Sequence, residues 1–191
     1  MSKLTRAWIA AALAALAPAA LAKDAPRTSS EIIAAAPAED WRPLDLDHTL
    51  VMTFGQGRTA VIELAPAFAP QTVANILTLA RAQYFDGLAI TRVQDNFVTQ
   101  WGDPDGETDH PKGLGAAKTT IPAEFSRRRD RALPFTRLPD GDGFAPEVGH
   151  SGGFPAARSA RETWLTHCYA MVGAGRGDTT DSGTGAELYV V

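Results

Sequence analysis

Cysteine is nearly absent. One residue, Cys168, in a chain of 191 excludes an internal disulfide and every cysteine-rich metal framework. The four histidines are scattered without ligand spacing, so no metal site is read. Charge of one sign is not in excess: 18 basic against 22 acidic residues give a net charge of −4, which leaves no electrostatic footprint for nucleic acid. Gly173, Gly175 and Gly177 fail the G-x-G-x-x-G spacing and precede a turn and a strand, so a dinucleotide-binding loop is excluded too. What remains, at 45% apolar and 21% charged residues, is the composition of one soluble globular domain.

One long apolar run exists, and it is N-terminal. Lys3 and Arg6 precede Ala7 to Ala22, which ends in Ala20-Leu21-Ala22, the small-x-small pattern of a secretory leader. The run is alanine-rich, holds Pro18, and falls short of the roughly 20 residues of a membrane span. Residues 1–22 are therefore read as a signal peptide cleaved before Lys23, 23–43 as a flexible spacer with a short helix near Ile32, and 44–191 as the folded domain. The mature protein is expected to be exported to the periplasm, without stable membrane insertion and as a monomer.

Within the domain, Leu50–Phe54 and Ala60–Leu64 flank Gly55-Gln56-Gly57 and predict a hairpin. Val73, Ile76, Leu77, Ala80 and Tyr84 lie at helical spacing behind Pro70 and predict a helix ending before Gly87. Strands are predicted at 88–93, 97–101, 166–173 and 186–191. Residues 126–162, rich in Arg, Pro, Gly and Asp, show no period and are read as an irregular insertion.

Three patterns are set aside. Gly149-His150-Ser151-Gly152-Gly153 is similar to the nucleophile loop of trypsin-like proteases, but the nearby His167 follows the serine and a histidine precedes it where that family has aspartate. Asp103, Asp105, Glu107 and Asp109 alternate like a calcium loop, yet Thr108 and Leu114 occupy the positions where such a loop needs Gly and Glu. Cys168 sits among apolar neighbours and reads as a small core residue.

The informative stretch is Ala69-Pro70-Gln71-Thr72-Val73-Ala74-Asn75, then Tyr84-Phe85-Asp86-Gly87-Leu88, then Thr91-Arg92-Val93-Gln94-Asp95-Asn96-Phe97-Val98-Thr99-Gln100-Trp101-Gly102-Asp103-Pro104. It resembles the cyclophilin family of peptidyl-prolyl cis-trans isomerases, with the fixed Arg, Phe, Gln, Gly and Asp positions in order. A second block agrees: Ala170 to Arg176, the turn holding Asp181-Ser182-Gly183, and Ala186-Glu187-Leu188-Tyr189-Val190.

The resemblance implies a mainly β fold, an antiparallel β-barrel with capping helices. It implies that Arg92 is catalytic and that Phe97, Val98 and Tyr189 line a proline pocket. Gln100, Gly175 and Arg176 would face the substrate backbone, with Glu187 beside the groove. Val98, Tyr189 and Glu187 stand where the family usually has Met, Phe and Gln. No cofactor is implied, and the partners are proline-containing polypeptides, unfolded or partly folded. The alternative is a binding module or chaperone of the same fold without turnover. Measured against the family, the chain stops inside the strand 186–191. The barrel is therefore expected to be incomplete, lacking C-terminal strands and a helix, with 188–191 beside an unpaired edge and the product poorly active and aggregation-prone.

Overall fold

A computed structural model describes residues 26–191. The leader assigned to 1–22 and its cleavage before Lys23 lie outside the described residues. The chain divides into two units, the first ending at Pro43 and the second spanning Leu44–Val191.

In the first unit, helix α1 (Ser29–Ala35) surrounds Ile32. Thr28 and Glu31 form a capping box: Thr28 Oγ1 accepts from the Glu31 N–H at 3.3 Å, and the Thr28 N–H donates to Glu31 Oε2 at 2.7 Å. None of the helix residues is buried, so local exchange of hydrogen bonds is what favours this turn of helix.

The second unit opens with the predicted hairpin, β1 (Thr49–Thr53) and β2 (Thr59–Glu63), in register from Thr49 opposite Glu63 to Thr53 opposite Thr59. Helix α2 (Pro70–Arg81) follows, with Pro70 in the first turn, where its missing N–H costs nothing. It buries Val73, Ile76 and Leu79. Gln83, at φ +54°, breaks the helix before Tyr84, and Tyr84 is nevertheless buried. The start of α2 is held by a distant carboxylate: Glu124 accepts from the Gln71 N–H at 3.0 Å and from the Thr72 N–H and hydroxyl at 2.8 Å each, satisfying donors that a helix leaves open. Asn75, 4% exposed, accepts from the Lys118 N–H (2.7 Å) and donates to the carbonyls of Lys118 (3.0 Å) and Thr184 (2.8 Å), tying two loops to the helix.

The remaining strands are β3 (Ala89–Gln94), β4 (Val98–Gly102), β5 (Arg127–Arg128), β6 (Thr136–Arg137), β7 (Glu147–Ser151), β8 (Phe154–Arg158), β9 (Glu162–Leu165), β10 (Val172–Ala174) and β11 (Leu188–Val190). They form a four-stranded sheet in the order β10-β11-β4-β3 and a five-stranded sheet in the order β5-β9-β8-β7-β6, antiparallel throughout. Trp101 and Leu188 of the four-stranded sheet meet Leu64, Val73 and Ile76 in the main core.

The fold departs from expectation in four respects. The sheets do not close into a barrel: among the described residues β1, β2, β3, β5, β6 and β10 each pair on one side only, and a barrel needs every strand paired on both. The C-terminal strand is present. β11 pairs with β4 on one side and β10 on the other, so 188–190 is a central strand and not an open edge. The segment 126–162 is not wholly irregular, since β5 to β8 and the start of β9 lie in it, joined by stretches without strand or helix. Residues 166–171, predicted as strand, form a turn with Ala170 at φ +66°.

Candidate active site

The four-stranded sheet sets the geometry. Residues directly opposite on antiparallel strands share a face, and one row crosses all four strands: Arg92 opposite Gln100, Gln100 opposite Tyr189, Tyr189 opposite Gly173. The other face carries Trp101 opposite Leu188 and Leu188 opposite Ala174, which is the core side. Arg92 reaches the polar face through a bulge. Ile90 pairs with Trp101 and Arg92 with Gln100, so Thr91 is an extra residue on β3. Its hydroxyl donates to the Gln100 carbonyl at 3.4 Å.

The Arg92 side chain is held in place on its own strand. Its guanidinium donates to Gln94 Oε1 and lies 5.3 Å from the centroid of the Phe97 ring, a cation–π contact. Phe97 is 53% exposed and sits at the end of a tight turn, where its N–H donates to the Gln94 carbonyl at 3.1 Å. A guanidinium has five N–H donors, more than Gln94 alone can take, and Arg92 lies on an exposed stretch of β3.

Beside this row, Glu187 fits between two glycines. Its carbonyl accepts from the Gly175 N–H at 2.8 Å, and its carboxylate accepts from the Gln100 amide. A Cβ at Gly175 would stand 2.7 Å from Glu187 Oε1, and one at Gly102 would stand 3.1 Å from Glu187 Cγ. The Tyr189 ring likewise occupies the space above Gly173, where a Cβ would collide with it. The His167 ring stacks on Tyr189 at 5.2 Å with 12° between planes. Burial pushes the Tyr189 phenol up, and the charge of Arg176 partly opposes this.

Two predicted residues are placed differently. Val98, two residues before Gln100 on β4 and so on the same face, is buried at 7% exposure. Arg176 turns into its own loop, donating to the carbonyls of Gly177 (3.3 Å) and Thr179 (2.8 Å) and covering the Phe125 ring at 5.0 Å. A cavity of about 680 Å³ includes Tyr189, His167, Phe125 and Arg176 in its lining, whereas Arg92, Phe97, Val98 and Gln100 do not line it.

Comparison with known proteins identifies the family. The family model described as cyclophilin type peptidyl-prolyl cis-trans isomerase/CLD matches residues 49–185. The chain belongs to the cyclophilin family. A probable peptidyl-prolyl cis-trans isomerase of Brucella suis is 35% identical over 139 residues, covering 68% of this cyclophilin and 61% of the relative. Peptidyl-prolyl cis-trans isomerase B of Bacillus subtilis is 41% identical over 68 residues, 36% of this chain and 44% of that protein. The crystal structure of cyclophilin AquaCyp293 from Hirschia baltica superposes with a TM-score of 0.63 at 26% identity, over 87% of this chain and 64% of that one. The chain thus spans less than two thirds of the length of these relatives.

Sequence reasoning did not find three contributors to this cyclophilin's site. The Thr91 bulge leaves no mark in a β-prone run. His167 comes from a turn predicted as strand. Gly173 is visible in the sequence, but its function, making room for the Tyr189 ring, becomes evident only once β10 lies beside β11.

Proposed function

We propose that this cyclophilin accelerates rotation about X-Pro bonds in unfolded or partly folded polypeptides, and that it does so in the periplasm after loss of residues 1–22. The observation that carries the reading is the single row of Arg92, Gln100 and Tyr189 on one polar face, with Phe97 beneath the guanidinium. The X-Pro bond resists rotation because amide conjugation holds it planar, with a barrier of about 18–20 kcal/mol, while its end states differ by only about 0.5–1 kcal/mol. No covalent bond need break. In the twisted transition state the imide nitrogen loses conjugation and its lone pair becomes an acceptor, to which Arg92 donates. The planar ground state offers no such acceptor, so the contact lowers the barrier selectively. Phe97 and Tyr189 supply apolar surface for the pyrrolidine ring. Gln100, oriented by Glu187, fixes the peptide backbone.

The test is turnover of a proline tetrapeptide, followed by protease coupling or by NMR exchange. Arg92→Ala should lower kcat/KM by about 10²–10³-fold, the scale for one lost transition-state donor, with the melting transition unchanged. Arg92→Lys should restore little, since lysine lacks the planar fork. Wild-type turnover in Arg92→Ala would overturn the mechanism. Peptide binding without turnover by the wild type would replace the enzyme with a binding module. Mass spectrometry of exported protein should find Lys23 at the N-terminus, and a form still carrying Trp8 would refute the leader.

A further inference from the structure

The five-stranded sheet carries a second chemistry. A cleft of about 1110 Å³ is walled by Arg128, Arg129, Arg131, Arg158 and Arg161 against two carboxylates, Asp130 and Glu162. An adjoining cleft of about 890 Å³ shares Arg128, Arg129 and Arg131. Some of these charges are already used. Glu147 accepts from Arg129 at 3.0 Å and from Arg158 at 2.7 Å, and Arg158 also covers the Phe135 ring at 3.9 Å. Asp130 lies 3.6 Å from Arg127, and Glu162 accepts from the Ser126 hydroxyl at 2.9 Å. The exposed side chains of Arg128, Arg131 and Arg161 make no ion pair or hydrogen bond among the described residues. Arg128 lies on β5, the two-residue edge strand of the sheet, Arg131 follows it, and Arg161 precedes β9, the strand paired with β5; an edge strand is open to pairing on its outer side.

We infer that this edge is a docking site for an acidic, extended polypeptide segment, which adds alongside β5 while its carboxylates take the guanidinium groups of Arg128, Arg131 and Arg161. Strand addition supplies affinity through the main chain and charge pairing supplies selection. Carboxylates match a guanidinium fork. A nucleic acid strand fits less well: it cannot reciprocate the backbone hydrogen bonds, and Phe135 is already covered by Arg158 and gives no open stacking surface. The site is separate from the Arg92 row, and its occupancy does not depend on whether the chain turns over prolyl bonds.

The probe is a fluorescent, proline-free peptide alternating Glu with Val, measured by anisotropy at low and moderate salt. The Glu peptide should bind with an affinity that falls as salt rises, and the matching Lys peptide should not bind. The triple variant Arg128→Ser, Arg131→Ser, Arg161→Ser should bind at least about tenfold more weakly. Methylating alternate peptide nitrogens should weaken binding to the wild type. NMR titration of the wild type should move amides of 127–131 and 161–162 and leave 92–100 in place, a readout that needs no variant. Shifts confined to 92–100, equal binding of Glu and Lys peptides, indifference to N-methylation, or tighter binding of a single-stranded RNA of equal charge would each overturn the proposal.

Discussion

The four-stranded and five-stranded sheets obey the same pairing rules and are stabilised by different means. The first backs its polar row with large apolar side chains, Trp101 and Leu188 against Val73 and Ile76. The second buries small residues, Ser151, Ala156, Ala157 and Thr163, and crosslinks its surface through Arg129, Glu147 and Arg158. A guanidinium that must meet a transient lone pair needs a backing that does not shift, which close apolar packing provides. A surface that recruits charged chains tolerates a softer, more polar scaffold. The first sheet should therefore be sensitive to volume and the second to pH and salt.

The largest effect should follow from truncating the backing. Leu188→Ala is expected to cost about 2–5 kcal/mol, the range for a buried leucine, read as a lowered denaturation midpoint. A loss below about 1 kcal/mol would erase the contrast between the sheets. Gly173→Ala should come next, at about 1–3 kcal/mol for forced repacking, because its Cβ meets the Tyr189 ring. Turnover should fall with it as the ring is displaced. Gly149→Ala in β7, whose Cβ would meet the Thr136 carbonyl, should lower the melting temperature and spare kcat/KM.

The third comparison is electrostatic. Hydrogen bonds from Arg158 and then Arg129 hold the Glu147 carboxyl below its ordinary value. A carboxyl depressed in the folded state contributes stability above its unfolded pKa and loses it as pH falls through the folded one. Glu147→Gln should therefore melt below the wild type near neutrality, and the gap should close on acidification below the ordinary glutamate range. A gap unchanged by pH would mean that these ion pairs do not stabilise the second sheet. Smallest of all, Tyr189→Phe should change kcat/KM by less than about threefold, since the pocket uses the ring and its apolar area; a larger loss would give the hydroxyl a function.

How legible these features were follows from side-chain size. The hairpin, α2 and the pair β3 and β4 rest on Val, Ile, Leu, Trp and Phe at regular intervals, which sequence patterns record. In β7, Glu147-Val148-Gly149-His150-Ser151, the buried positions are Gly149 and Ser151, so the alternation is real and invisible on any hydrophobic scale. Arg92 and Gln100 could be singled out by resemblance, but strict alternation would put Arg92 on the same face as Ile90. The bulge reverses that, and bulges are set by pairing partners that no local pattern names. The expected barrel failed for a related reason, because closure depends on which distant edges meet.

The central place of β11 has a consequence for how the molecule is made. Gln100 and Glu187 are 87 residues apart in sequence, yet β4 is bonded to β11 across the polar row. Closing a loop of that length costs on the order of 4 kcal/mol before any contact repays it, and contacts of such long range slow folding. During synthesis, β3 and β4 can pair as soon as they emerge, while Tyr189 and Glu187 cannot join them until the strand at 188–190 has been released. The groove is thus assembled later than the β3–β4 pair, and until residues 187–189 have been released Arg92 and Gln100 face one another with the rest of the polar row missing.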